Sequence, residues 1–253
     1  MIELKIGIVG IRGLPPKYGG YETFTDYFVK HMCQSGHEVL VACEKNKGEE
    51  MPLEYYGSKL IYFPFFPPDN YMFRKIFEGI YDVYFYLKLA RSVDIMYVLA
   101  GLGTQVLFLP KLLNPRLKIV TNNDGLEWKR SKYNFIERFL WKSFIRNSLR
   151  HSNLIVHDNP ALLKHFPKHN AKKTTVISYG VDIIEKEDWS MDVLMEFANG
   201  KSLDLSGLEP DNYYIVVARL QHDNNTHMIV DGYLKSKTRK KLVVVGRVKL
   251  NTY

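Results

Sequence analysis

The 253-residue sequence predicts an α/β fold built on a parallel sheet. Short apolar runs rich in β-branched residues recur along the chain, helical patterns lie between several of them, and a Gly/Pro loop separates the first run from the first helical pattern. Parallel neighbours need a crossover, usually a helix, so this alternation implies a sheet covered on both faces. A content of 46% hydrophobic and 25% charged residues suits a soluble globular protein with a sizeable core.

Leu4-Lys5-Ile6-Gly7-Ile8-Val9-Gly10 ends in glycine and reads as a buried strand. Residues 21–35 place Phe24, Tyr27, Phe28 and Met32 at helical spacing, with Gly36 where a helix C-cap glycine belongs. Residues 37–42 form the second strand, and 60–63, 95–99, 117–121, 154–157 and 175–177 supply further ones. From 183 to 212 the pattern breaks into acidic and polar sequence with Gly200, Gly207 and Pro210, leaving one amphipathic stretch at 189–197. A second α/β unit then starts with a strand at 213–218, a helix at 224–235 and a strand at 241–245. The expected organisation is an N-terminal domain over 1–182, an interdomain region over 183–212 and the start of a second domain over 213–253. That last piece is shorter than the roughly 100–150 residues of a typical domain.

Two cysteines, Cys33 and Cys43, are too few for a disulfide framework, and no signal-type segment opens the chain, so a reducing cytoplasm is expected. No apolar stretch reaches the roughly 18 uninterrupted residues of a membrane span. A net charge of +8 implies an anionic partner. The basic residues are spread along the chain, and clusters such as Lys172-Lys173 and residues 235–241 read as solvated faces, so nucleic acid is not the expected partner.

Four segments could bear a site. Gly10-Ile11-Arg12-Gly13-Leu14-Pro15-Pro16-Lys17-Tyr18-Gly19-Gly20 lies between the first strand and helix, where backbone amides can approach a phosphate at a helix N-terminus. Its spacing is not G-x-G-x-x-G. The glycines alone could simply make turns, and Glu44 at the end of the second strand could imitate a dehydrogenase's ribose-binding acid. Thr121-Asn122-Asn123-Asp124-Gly125-Leu126-Glu127-Trp128-Lys129-Arg130 gathers hydrogen-bonding groups at another strand end, although Asp124-Gly125 is also a common turn dipeptide. Arg219, after Val217-Ala218, could neutralise a diphosphate leaving group or be a surface charge. Residues 55–91 interleave aromatics with Lys59, Arg74, Lys75, Lys88 and Arg91. Within them Phe73, Ile76, Phe77, Ile80, Tyr84 and Leu87 form one helical stripe, suited to a core or to a bilayer surface, as is the loop Phe63-Pro64-Phe65-Phe66-Pro67-Pro68.

Taken in order, several stretches resemble family 4 of the glycosyltransferases, in particular its bacterial rhamnosyltransferase and galactosyltransferase-like branch. They are Gly7-Ile8-Val9-Gly10-x-Arg12-Gly13, Lys17-Tyr18-Gly19-Gly20-Tyr21-Glu22-Thr23-Phe24, Gly36-His37-Glu38-Val39, residues 123–130, Ser178-Tyr179-Gly180-Val181-Asp182 and Val217-Ala218-Arg219-Leu220. The resemblance implies a GT-B enzyme with two facing Rossmann-like domains, the first holding the acceptor and the second a nucleotide diphosphate sugar, with no metal and no cofactor. It implies that Asn123 and Asp124 border the transferred sugar. Gly19, Gly20, Tyr179, Gly180 and Arg219 would serve the donor, and Arg12, Tyr18, Glu22, Trp128, Lys129 and Arg130 the acceptor or membrane side. A retained anomeric configuration, a lipid-linked saccharide acceptor, a peripheral place on the inner membrane face and a role in surface polysaccharide assembly follow from the same resemblance. Asn224 stands where the wider family has a lysine, and the family's Glu-x7-Glu segment is expected beyond Tyr253. The competing expectation is a non-catalytic remnant or partner subunit; a nicotinamide-dependent enzyme is a more distant one.

Overall fold

The computed structural model describes residues 3–17, 19–99, 102–123, 125–130, 133–180, 182–183, 207–209, 211–220 and 222–246. The chain divides into two compact units, 1–180 and 181–253. Tyr18, Asp124, Val181, the amphipathic stretch at 189–197 and Tyr253 lie outside the described residues.

The first unit is a doubly covered sheet. Strand β1 (Lys5–Val9) pairs in parallel with β2 (Glu38–Cys43) on one side and β5 (Ile95–Leu99) on the other. Beyond β2 come β4 (Ser58–Tyr62) and β3 (Glu54–Tyr55); beyond β5 come β6 (Lys118–Asn122), β7 (Leu154–His157) and β8 (Thr174–Val176). The order β3-β4-β2-β1-β5-β6-β7-β8 is parallel except for the β3-β4 hairpin, which bears out the α/β class. That hairpin was not legible, because its turn is Tyr56-Gly57, both at positive φ, and lacks the usual Asn-Gly or Asp-Gly signal.

Successive side chains of β1 point to opposite faces, so Ile6 and Ile8 join one core and Val9 the other. Helix α1 (Gly20–Gln34) covers the Ile6-Ile8 face through Val29, Phe24 and Phe28. Helix α2 (Tyr71–Leu89), capped by Asn70 Oδ1 accepting the Met72 amide at 2.9 Å, covers the other. Helices α3 (Phe108–Leu113) and α4 (Phe135–His151) follow β5 and β6, and α4 opens with an Asn134/Glu137 capping box.

One sequence expectation is corrected on α2. Of the stripe Phe73, Ile76, Phe77, Ile80, Tyr84 and Leu87, only Phe77 is buried, and Phe73, Ile76, Ile80 and Leu87 are exposed. The buried row is Phe77, Tyr81 and Phe85 with Tyr86 and Leu89, one third of a turn away. Both rows have helical spacing, and a helix apolar on two sides does not declare which side meets the sheet. The loop after β4 divides likewise, with Phe63 packed against Phe77, Tyr81 and Tyr84 while Phe65 and Phe66 face outward. Lys173 is also no solvated charge: it donates to the carbonyls of Leu149 and Ser152 at the C-terminal end of α4.

In the second unit β9 (Tyr213–Val217) and β10 (Lys241–Val245) form a parallel pair joined through α5 (Thr226–Lys235). Among the described residues no helix is long and apolar enough to cross a membrane.

Candidate functional site

In the first unit, consecutive strands build outward in one direction from β1 to β2 and in the other from β5 to β6. The change of direction opens a crevice at the carboxyl ends of β1 and β5, where ligands bind in such sheets. The loop 10–19 fills one side of it. Gly10, Gly13 and Gly19 all have positive φ, and a Cβ on Gly13 would lie 3.0 Å from Cys43 Cβ and Sγ, so the loop packs tightly against β2.

Side chains hold this loop from beneath. The Tyr81 hydroxyl donates to the Ile11 carbonyl at 2.9 Å, the Glu44 amide to the Arg12 carbonyl at 2.7 Å, and the Arg12 amide to Glu22 Oε1 at 3.1 Å. Arg74 donates to buried Glu44 Oε2 at 2.5 Å and to Glu78 at 3.2 Å, and Arg12 pairs with Glu78 at 3.7 Å. Glu44 is thus occupied by Arg74 instead of facing a ribose. Burial still raises its carboxyl above the usual range, against the lowering pull of Arg74. Buried Cys43 is a free thiol pushed up to about 12 by desolvation.

At the start of α1 no side chain caps the helix, and a helix N-terminus is a place where an anion is stabilised. Glu22 limits this one: one of its oxygens already takes the Arg12 amide, and its negative charge lies close to Gly19. A diphosphate there would need a cation from elsewhere.

A second group of polar atoms sits at the ends of β6 and β7. Asn122 is buried and donates through Nδ2 to the Tyr179 hydroxyl at 3.2 Å; the Tyr179 ring packs on Phe24 of α1 at 5.4 Å. His157 is fully buried, its Nδ1 3.0 Å from the Asn123 carbonyl and its ring 4.3 Å from Phe166. Because a carbonyl only accepts, Nδ1 carries the proton and Nε2 presents a lone pair. Burial lowers the His157 pKa, outweighing the raising effects of the Asn123 carbonyl and Asp158, so the ring is neutral near pH 7. Asn122 Oδ1, Asn123 Nδ2, His157 Nε2 and Asp158 Oδ1 are buried, and among the described residues none has a hydrogen-bond partner. Buried polar atoms are nearly always satisfied, so these are directed at a ligand or solvent. A cleft of about 40 Å³, bordered by Asn122 and Asn123 with Tyr21, Glu127, Trp141 and Phe144, has room for a hydroxyl but not a whole sugar ring.

The structure brings Gly19, Gly20, Glu22, Asn123, Tyr179 and the Arg12 backbone to this end of the sheet. Gly180 follows Tyr179, exposed and with no atom within 4 Å of a Cβ placed on it. Trp128, Lys129 and Arg130 are turned to other partners: Trp128 packs edge-on to Phe166 at 6.1 Å, Lys129 lies 3.4 Å from His165 Nδ1, and Arg130 pairs with Glu127 at 2.7 Å. Tyr18 and Asp124 are outside the described residues. Arg219 is exposed at the end of β9 in the second unit, where Asn224 Nδ2 donates to its carbonyl at 2.6 Å. His157 and Asp158 were missed in the sequence, and Asn122 was read only as part of the segment 121–130. The signal that could have found them is polar residues closing two apolar strands, at the sheet edge where ligands bind. Among the described residues no group of three or more His, Cys, Asp or Glu is placed to hold a metal.

Residues 4–182 match DUF1972, a domain of unknown function. The chain belongs to the DUF1972 family. The DUF1972 span contains the loop 10–19 and the whole cluster from Asn122 to Tyr179, whereas Arg219 lies outside it. Among solved structures, the chain is similar to Arabidopsis thaliana UGT89C1 complexed with quercetin, at 11% identity and a TM-score of 0.47 over 97% of this chain and 70% of that one. It is also similar to UGT89C1 complexed with UDP-L-rhamnose, at 11% identity and a TM-score of 0.48 over 99% and 67%. No curated protein compared with it matches.

Proposed function

We propose that this DUF1972 protein is a glycosyltransferase of the GT-B type, moving a hexose or deoxyhexose such as rhamnose from a nucleotide diphosphate sugar to a lipid-linked or saccharide acceptor. The observation that carries the reading is the cluster of buried Asn122 Oδ1, Asn123 Nδ2 and His157 Nε2, which have no partner among the described residues. These three atoms offer donors and acceptors from neutral side chains. That suits sugar hydroxyls, each of which donates once and accepts twice.

In the mechanism that follows, Asn123 and Asp124 border the transferred sugar while neutral His157 accepts from one of its hydroxyls. Arg219, in the second unit, is the residue this reading assigns to neutralising the leaving diphosphate. The first amides of α1 add fixed donors. Glu22 and Tyr21 sit where an acceptor hydroxyl would approach. Retention of configuration is expected, with the departing phosphate drawing the acceptor proton as the sugar develops oxocarbenium-like charge. The cellular setting in this reading is surface polysaccharide assembly on the cytoplasmic face of the membrane.

The test is release of UDP or dTDP from a panel of nucleotide sugars in the presence of lipid-linked saccharide. Turnover that Asn123→Ala lowers by about 100-fold, with the circular dichroism spectrum unchanged, supports the reading. Turnover indifferent to that substitution overturns the assignment of the site.

A further inference from the structure

Two helices present an apolar face that nothing described in the chain covers. Phe73, Ile76 and Ile80 on α2 and Phe135, Ile136 and Phe139 on α4 are each 56–84% exposed. The ion pair of Lys75 with Glu137 at 2.7 Å ties the second turn of α2 to the first turn of α4, so the two sets form one patch. Beside it, α2 and residues 102–106 enclose an open apolar groove of about 470 Å³, lined by Ile76, Ile80, Val83 and Val106. Soluble monomers rarely leave contiguous apolar surface of this kind without a use for it.

Charge decides the occupant. At 3.6 residues per turn, Phe135, Phe139, Lys142, Arg146 and Arg150 fall in one row along α4. The row is aromatic over its first two turns and cationic over the rest, and Arg138 flanks it. Lys142, Arg146 and Arg150 are exposed and pair with no carboxylate among the described residues. A second copy docked face to face would bring two sets of these cations into one interface and offer no carboxylate from the row to pair with them. Nucleic acid would satisfy the cations and leave the aromatic turns in water. An anionic bilayer satisfies both, taking aromatic side chains at headgroup depth while lipid phosphates meet the cations.

We propose that the α2–α4 face is a docking surface for an anionic lipid bilayer, with Phe135 and Phe139 inserting and Lys142, Arg146 and Arg150 resting on the headgroups. Both helices start at the carboxyl edge of the sheet, so docking holds the crevice beside the lipid surface. The inference deepens the proposed function by naming the face of the fold that meets the membrane, and it rests on that reading only for the presence of a lipid-linked acceptor there.

The test is sedimentation of the full chain with phosphatidylglycerol/phosphatidylcholine vesicles and with pure phosphatidylcholine vesicles, alongside a separate UDP titration. Binding to the anionic vesicles alone is expected, weakening in high salt. Lys142→Gln/Arg146→Gln lowers partitioning about 30-fold, from roughly five-fold per cation at an anionic surface. Phe135→Ser/Phe139→Ser lowers it too. These side chains are exposed, so melting curves of both variants stay within a degree or two of the parent, which separates lost docking from lost folding. No binding by the folded chain, equal binding to neutral vesicles, or variants that bind like the parent would each overturn the proposal. So would a stable dimer that ignores vesicles, or duplex DNA that displaces them at physiological salt. Vesicle binding without UDP binding sinks the transferase reading and leaves the docking surface standing; the reverse result sinks only the docking surface.

Discussion

The Asn122 side-chain amide donates to the Tyr179 hydroxyl at 3.2 Å, joining the end of β6 to a segment 57 residues later in the chain. Burial pushes the nearby Tyr97 hydroxyl up to about 12, against the lowering influence of Asn122, so the phenol stays protonated. Tyr179→Phe removes the hydroxyl that accepts from the buried Asn122 amide. The expected cost is about 1 kcal/mol, a fall in Tm of about 2–4 °C by calorimetry. An unchanged Tm would show that Asn122 is satisfied without Tyr179.

Arg74 and Glu44 make the most buried ion pair among the described residues. Arg74→Ala strands a carboxylate that is already raised by burial, and the expected loss is about 3 kcal/mol at pH 7.5 by urea denaturation. The sign with pH follows. A folded-state carboxyl raised above its unfolded value destabilises above the unfolded pKa, and the penalty fades as pH falls through the folded value. The variant's deficit therefore shrinks toward pH 5, and Glu44→Gln added to Arg74→Ala removes that pH dependence.

Gly13 sits at φ +135° against Cys43. Gly13→Ala is expected to cost about 2 kcal/mol in urea denaturation, from a backbone region that L residues avoid and a 3.0 Å contact. Adding Cys43→Ala relieves the contact with Sγ and not the backbone strain, so it recovers only part of the loss.

His157 predicts a pH effect of its own. Its folded pKa is depressed, so its stabilising effect is complete above the unfolded value near 6.5 and is lost as pH falls through the lower folded value. Stability should drop as pH falls below about 6.5, and His157→Gln should flatten that part of the profile. A variant profile parallel to the parent's would contradict a buried neutral ring.

Much of the first unit was legible because its strands are unusually explicit. The run from Lys5 to Val9 is buried after its first residue, and period-2 or continuous apolar runs of that kind need no tertiary context to be read. Helix α2 was legible as a helix but not in its orientation. Phe77 and Ile80 are equally apolar, and only the sheet decides which of them is covered. The crevice was half legible: the loop glycines and Asn123 announced themselves by type and place. His157 closes an ordinary strand, and its meaning comes from Asn123 and Phe166, which the fold brings to it from elsewhere in the chain. Lys173 reads as surface charge until the end of α4 stands beside it.

The central claim is that the chain takes a nucleotide diphosphate sugar, and calorimetric titration of the protein with UDP and dTDP tests it most directly. The account predicts micromolar binding of at least one of them, weakened about ten-fold or more by Arg219→Ala with no change in the melting curve. A folded chain that binds neither would contradict it, leaving an acceptor-side domain that another chain must complete.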